Sequence, residues 1–130
     1  MPSNNIFIRV GTSIIEIERI RKIARNPKFL SKFFSADEIR YIVNHNLSPS
    51  LLAENYCAKA AFAKAIGTGT RVVPPHDITV LRDRLDSPFI IAEGRAKMLT
   101  ERENYVYNLS VSHCKDYAIA TVVLNKAGKK

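Results

Sequence analysis

Residues 48 to 67 constrain this chain more than any other stretch. Ser48-Pro49 supplies an N-cap followed by proline at the first helical position, where its missing N–H is not needed. Gly67 supplies the stop, because glycine enters the left-handed conformation that ends helices. The spacing predicts one long helix over 49–66. Ala58, Ala61 and Ala65 lie along it and permit close approach by a neighbouring element. A chain of 130 residues with 46% hydrophobic content suits one domain, residues 1–130, with a core of its own.

The flanking segments read as strand, helices, then mostly strands. Ile6 to Val10 is a short apolar run ended by Gly11, and is predicted to be a strand. Ser13-x-x-Glu16 has capping-box spacing: Ser13 can cap a helix and Glu16 can reach back to it. Ile14, Ile17, Ile20 and Ile23 then follow helical spacing. Ser35-x-x-Glu38 repeats the box and predicts a helix to about Asn46. Pro74-Pro75 breaks the chain before predicted strands at 77–81 and 88–92, with a short helix over 94–103. Residues 105–112 alternate, with Tyr107, Leu109 and Val111 on one face and Val106, Asn108, Ser110 and Ser112 on the other. Residues 117–124 are rich in β-branched side chains, and His113 to Asp116 forms a hairpin turn. This order predicts the α+β class.

Charge limits the partners. Lys plus Arg number 20 and Asp plus Glu 12, a net +8. Such a balance favours an acidic partner: nucleic acid, anionic lipid or an acidic protein. Arg19, Arg21, Lys22 and Arg25 concentrate positive charge on the first predicted helix. That face could dock an acidic helix or a phosphate backbone, or simply be solvated. Aromatic residues are 8% with no Trp and no basic–aromatic interleaving, which gives little support to nucleic-acid recognition by stacking. No apolar run nears the ~20 residues of a membrane span, and Met1 to Asn5 does not read as a signal peptide. Cys57 and Cys114 lack metal spacing and are expected to be reduced thiols in a cytoplasmic protein.

Two groups of residues could carry chemistry. Lys59 and Lys64 stand on the long helix just before Gly67-Thr68-Gly69, and Lys64 shares a face with Ala60. A lysine there could hold a phosphate as a point charge; the spacing also fits two solvated lysines and an ordinary glycine cap. Ser110-Val111-Ser112-His113 offers hydroxyls and an imidazole at a strand end. Neighbours on a strand point to opposite faces, so a direct Ser112–His113 dyad is not expected. Cys114 follows His113 and fits a small packed residue better than a nucleophile.

Taken in order, these segments resemble the holo-acyl-carrier-protein synthases, the short bacterial 4′-phosphopantetheinyl transferases. The resemblance runs over nearly the whole chain. Its blocks are Gly11-Thr12-Ser13-Ile14-Ile15-Glu16-Ile17-Glu18-Arg19-Ile20, Phe34 to Ile39, Leu52 to Gly69, Asp77 to Leu81, Pro88, Gly94-Arg95-Ala96 and Ser110 to Ala120. It implies a homotrimer with sites between protomers. It also implies transfer of phosphopantetheine from coenzyme A to a serine of an acidic apo-acyl carrier protein, with release of 3′,5′-ADP. In the family a divalent ion, Mg²⁺, is held by an Asp of the opening block and a Glu of the helix; here those positions are Ser13 and Ala60. Asn55 replaces a family arginine, and Cys114 a threonine. By the same resemblance Lys59, Lys64, Gly67, Thr68, Gly69, Ser112 and His113 fall on the coenzyme A side. Arg19, extended by Arg21, Lys22 and Arg25, falls on the carrier-protein side. Lys64, Glu16 and His113 are the catalytic candidates. Glu16 lies one helical turn from Ser13 and could supply a carboxylate, although a capping role would aim it elsewhere. Three functions are therefore open: a transferase altered by the two substitutions, a silent homologue that binds carrier protein or coenzyme A, and a repurposed enzyme acting on carrier-bound acyl groups.

Overall fold

A computed structural model describes residues 7–67 and 73–127. The elements in order are β1 (Ile8–Glu16), α1 (Ile17–Ile23), α2 (Pro27–Phe33), α3 (Ala36–Asn44) and α4 (Pro49–Ile66). After a 3-10 turn (Pro75–Asp77) come β2 (Ile78–Arg82), β3 (Pro88–Ala92), α5 (Gly94–Glu103), β4 (Tyr105–His113) and β5 (Tyr117–Lys126). The strands make a three-stranded antiparallel sheet, β1-β5-β4, and a separate β2-β3 hairpin. The class is α+β, as expected.

The long helix is where the sequence places it. Ser48 Oγ accepts from Leu51 N, Pro49 opens the first turn, and Gly67 closes the last at φ 90°. It lies across the inner face of the three-stranded sheet and is largely buried. Beneath it β5 contributes Ala118, Ala120, Val122 and Leu124, all buried, on alternate positions. The predicted alternation of β4 holds: Tyr107, Leu109 and Val111 are half-buried while their neighbours are exposed. The box at Ser35 also holds, with Ser35 Oγ accepting from Glu38 N and Glu38 Oε1 accepting from Ser35 N.

The opening block differs from its reading. Strand β1 continues through Gly11 to Glu16, with Ser13 opposite Ala120 and Glu16 opposite Tyr117. Ser13 is therefore mid-strand and caps nothing. Helix α1 begins only at Ile17, and Glu16 at its cap makes no side-chain capping bond. Pairing with β5 outweighs the local box, and Ile17 N finds its acceptor in Asp116 O at 2.8 Å, from the β4–β5 turn. Helix α2 was not anticipated, although Asn26-Pro27 is a start signal: Asn26 Oδ1 accepts from Lys28 N.

The sheet's outer face is open and carries exposed apolar side chains, chiefly along β1. Ile8 and Val10 are each 59% exposed and Ile14 63%, with Val106 and Ile119 beside them across the sheet.

Candidate functional site

The two substituted positions meet in one place. Ser13, Ile14, Ile15 and Glu16 of β1, Arg19 of α1, Tyr56 and Ala60 of α4, and Tyr117 line a concavity of about 560 Å³. Close approach of β1 and α4 builds it. At Gly11 a side chain would run into the Ala61 carbonyl and come within 2.6 Å of Ala65 N, so the strand and helix backbones nearly touch. On the facing helix the buried Cys57 thiol donates to Ala118 O at 3.5 Å, and burial pushes its pKa up. Lys64, one turn beyond Ala60, reaches over β1 and donates to Thr12 O at 3.0 Å. Freed from the capping role, Glu16 is the carboxylate of this concavity.

Lysine 59 is not on the surface. It is 1% exposed and its ammonium donates to Glu38 Oε1 at 2.5 Å, to Pro75 O at 2.9 Å and to Ile78 O. Three acceptors satisfy three N–H bonds, so none is left for a phosphate. The expected coenzyme A contact at Lys59 is corrected: this lysine ties α4 to α3 and to the start of β2. Asn55, also fully buried, joins the same group, donating to Glu38 Oε2 at 3.2 Å and Val80 O at 3.1 Å.

His113 ends β4 on the sheet edge opposite β1. Its Nδ1 lies 2.7 Å from Glu54 Oε2, and Glu54 Oε1 accepts from Arg82 at 2.9 Å. Ser112 faces the other way, so the two do not form a dyad. Of the basic cluster on and after α1, Arg19, Lys22 and Arg25 are exposed. Arg21 is exposed too, but it forks onto Glu18, at 2.9 and 2.5 Å, and this hydrogen bond holds the Glu18 carboxyl below its usual range. Gly67 is the expected left-handed cap, and the Arg9 guanidinium occupies the space a side chain there would need. Thr68 and Gly69 lie outside the described residues. Sequence reading missed Arg9, Glu54 and Arg82; no local spacing links them to the sites they serve.

The residues present do not fit a two-carboxylate Mg²⁺ site. A hard cation wants oxygen ligands, yet β1 offers the Ser13 hydroxyl and α4 the Ala60 methyl. Among the described residues no group of three or more His, Cys, Asp or Glu is placed to hold an ion.

The concavity between β1 and α4 lies within residues 9–122, which match the family model of the 4′-phosphopantetheinyl transferase superfamily. The chain belongs to this superfamily. It is 41% identical over 125 residues to a holo-[acyl-carrier-protein] synthase of Clostridium perfringens, covering 92% of this chain and 94% of that one. The synthase of Clostridium novyi is 38% identical over 121 residues, 92% and 88% of the two chains. Among solved structures, the holo-[acyl-carrier-protein] synthase of Neisseria meningitidis aligns with TM-score 0.84 at 28% identity, over 91% and 98% of the chains. That of Bacillus anthracis, described in complex with CoA (3′,5′-ADP), gives 0.77 at 30%, over 94% and 99%.

Proposed function

We propose that this chain transfers the 4′-phosphopantetheine of coenzyme A to a serine of an acyl carrier protein. Membership of the superfamily supports it, as do synthase relatives matched over almost their full length and solved relatives described with coenzyme A. The observation that carries the reading is the concavity itself, which gathers Ser13, Glu16, Arg19 and Ala60 beside Lys64.

In the reaction the carrier serine oxygen forms a bond to the phosphorus that bears pantetheine, and the bond to the leaving 3′,5′-ADP oxygen breaks. Such transfer is mostly positioning and charge neutralisation. Lys64 and Arg19 offset phosphate charge, and Glu16 takes the serine proton. Arg19, Lys22 and Arg25 attract an acidic carrier. Two free thiols, Cys57 and Cys114, support a reducing, cytoplasmic setting.

Assembly as a homotrimer completes the site. Within one protomer the Ser13–Lys64 half stands at the β1 edge and His113 at the β4 edge. A neighbouring copy can bring one to the other. The exposed apolar side chains of β1, with Val106 and Ile119, support this, since exposed apolar patches mark interfaces.

One observation favours a second reading, a silent homologue that binds coenzyme A or carrier protein: Ser13 and Ala60 stand where the family holds its metal. The test is incubation with coenzyme A, Mg²⁺ and apo-acyl carrier protein, with the carrier read by intact mass. A phosphopantetheine adduct is expected. No adduct, with carrier or coenzyme A still bound, selects the silent homologue; tight binding of acyl-loaded carrier alone selects a repurposed enzyme.

A further inference from the structure

A chain of polar contacts runs from the core to the surface and ends on an imidazole. Lys59 bonds Glu38, Glu38 bonds Asn55, and Asn55 Oδ1 accepts from Arg82 at 2.9 Å. Arg82 then grips Glu54 Oε1 at 2.9 Å, and Glu54 Oε2 meets His113 Nδ1 at 2.7 Å. The side chains of Arg82 and Glu54 are only 4% and 12% exposed, while that of His113 is 46% exposed. Every link but the last is enclosed.

We propose that Glu54, braced by Arg82, is a positioning residue that fixes the His113 ring so that Nε2 is the nitrogen presented to the nucleotide phosphates of coenzyme A. This rests on the coenzyme A reading given above. A carboxylate accepts and does not donate, so Nδ1 must carry the proton of the contact. The neutral ring is then held with its lone pair on Nε2, and the charged ring with an Nε2–H free to donate to an anion. A free imidazole on a strand end would rotate and exchange tautomers. One carboxylate, itself held by a charged N–H of Arg82, whose other arm is anchored on Asn55, removes that freedom before ligand arrives. The arrangement orients a ring as outer partners orient metal-bound histidines, here with a phosphate as the ligand.

The experiment has a spectroscopic arm and a binding arm. Long-range ¹H–¹⁵N correlation of the His113 ring is expected to show the Nδ1–H tautomer in the unaltered protein. Loss of that preference is expected in Glu54→Ala, and its retention in Glu54→Gln, whose amide oxygen still accepts. The affinity for 3′,5′-ADP, by calorimetry, should fall about tenfold in Glu54→Ala. His113→Ala should fall equally, and the double variant should be no worse than His113→Ala alone. An unchanged tautomer in Glu54→Ala, or additive losses in the double variant, overturns the proposal. Failure of the unaltered protein to bind 3′,5′-ADP overturns the coenzyme A reading instead, and this role for Glu54 with it. Because Glu54→Gln keeps the acceptor and the size, it keeps the test decisive if Glu54→Ala folds poorly.

Discussion

The ammonium of Lys59 sits 2.5 Å from Glu38 Oε1, with the two side chains 2% and 0% exposed. Burial pushes the Glu38 carboxyl up, against the pull of Lys59, and pushes the Lys59 ammonium down, against the pull of Glu38. Removing one partner strands the other, so Lys59→Met should cost about 3–5 kcal/mol at neutral pH. The sign with pH follows from linkage. Glu38 holds its proton more tightly folded than unfolded, so its contribution is full below about pH 4.5 and is lost as pH rises through the folded value. Lys59 runs the opposite way: its contribution is full above about pH 10.5 and is lost as pH falls through its lowered folded value. In Lys59→Met the carboxyl is uncompensated, so the deficit should widen from pH 4.5 upward. Urea denaturation across that range measures it, and a flat deficit would count against a buried ion pair.

Gly11 is fixed by contact rather than by backbone angle. Any side chain there meets the Ala61 carbonyl and Ala65 N of α4. Gly11→Ala should therefore push helix from sheet and cost about 1–3 kcal/mol, seen as a melting temperature lower by about 5–10 °C. An unchanged melt would mean that β1 and α4 do not cross so closely.

How far the sequence led depends on the distance between cause and effect. Ser48, Pro49 and Gly67 act within a turn of themselves, so α4 was legible to the residue. The same holds for Ser35 with Glu38, and for the alternation of β4. Ser13 and Glu16 carry an equally good local signal, yet hydrogen bonding to β5, more than 100 residues away, keeps them in a strand. Lys59 reads as a surface lysine because its partner Glu38 is 21 residues back, on another helix. Glu54 has no motif at all; only the fold brings His113 to it from 59 residues away. The candidate site was legible as a list of residues, while its division into a β1 half and a β4 half was not.

The two cysteines should separate cleanly by reactivity. Cys114 is exposed in the β4–β5 turn, whereas Cys57 is on the buried face of α4 with its thiol pKa pushed up by burial. A chromogenic disulfide reagent should titrate one thiol per chain in the native protein and two after denaturation. Two fast thiols in the native state would contradict the packing of Cys57.

The apolar outer face should be an interface. Val10 is 59% exposed in the first half of β1, opposite Val123. Val10→Glu places a charge there without disturbing the inner face, because alternate residues point apart. Light scattering during gel filtration should show a trimer for the unaltered chain and a monomer for the variant, with the transferase rate falling alongside. A monomeric unaltered chain would refute the assembly.

Restoring carboxylates should restore a metal. Ser13 on β1 and Ala60 on α4 line the same concavity, so Ser13→Asp with Ala60→Glu would aim two carboxylates into one space beside Lys64. Neither change opposes the fold. Ser13 caps no helix, and glutamate at 60 costs the helix only a few tenths of a kcal/mol. An ion held there by the two carboxylates would supply charge neutralisation worth several kcal/mol. The double variant should bind Mn²⁺, read by electron paramagnetic resonance, where the unaltered chain binds it weakly. Its transfer rate should rise at least about tenfold and become dependent on Mg²⁺. Tight Mn²⁺ binding by the unaltered chain would show that residues already present, Glu16 among them, suffice, and that Ser13 and Ala60 are not the residues on which metal binding turns.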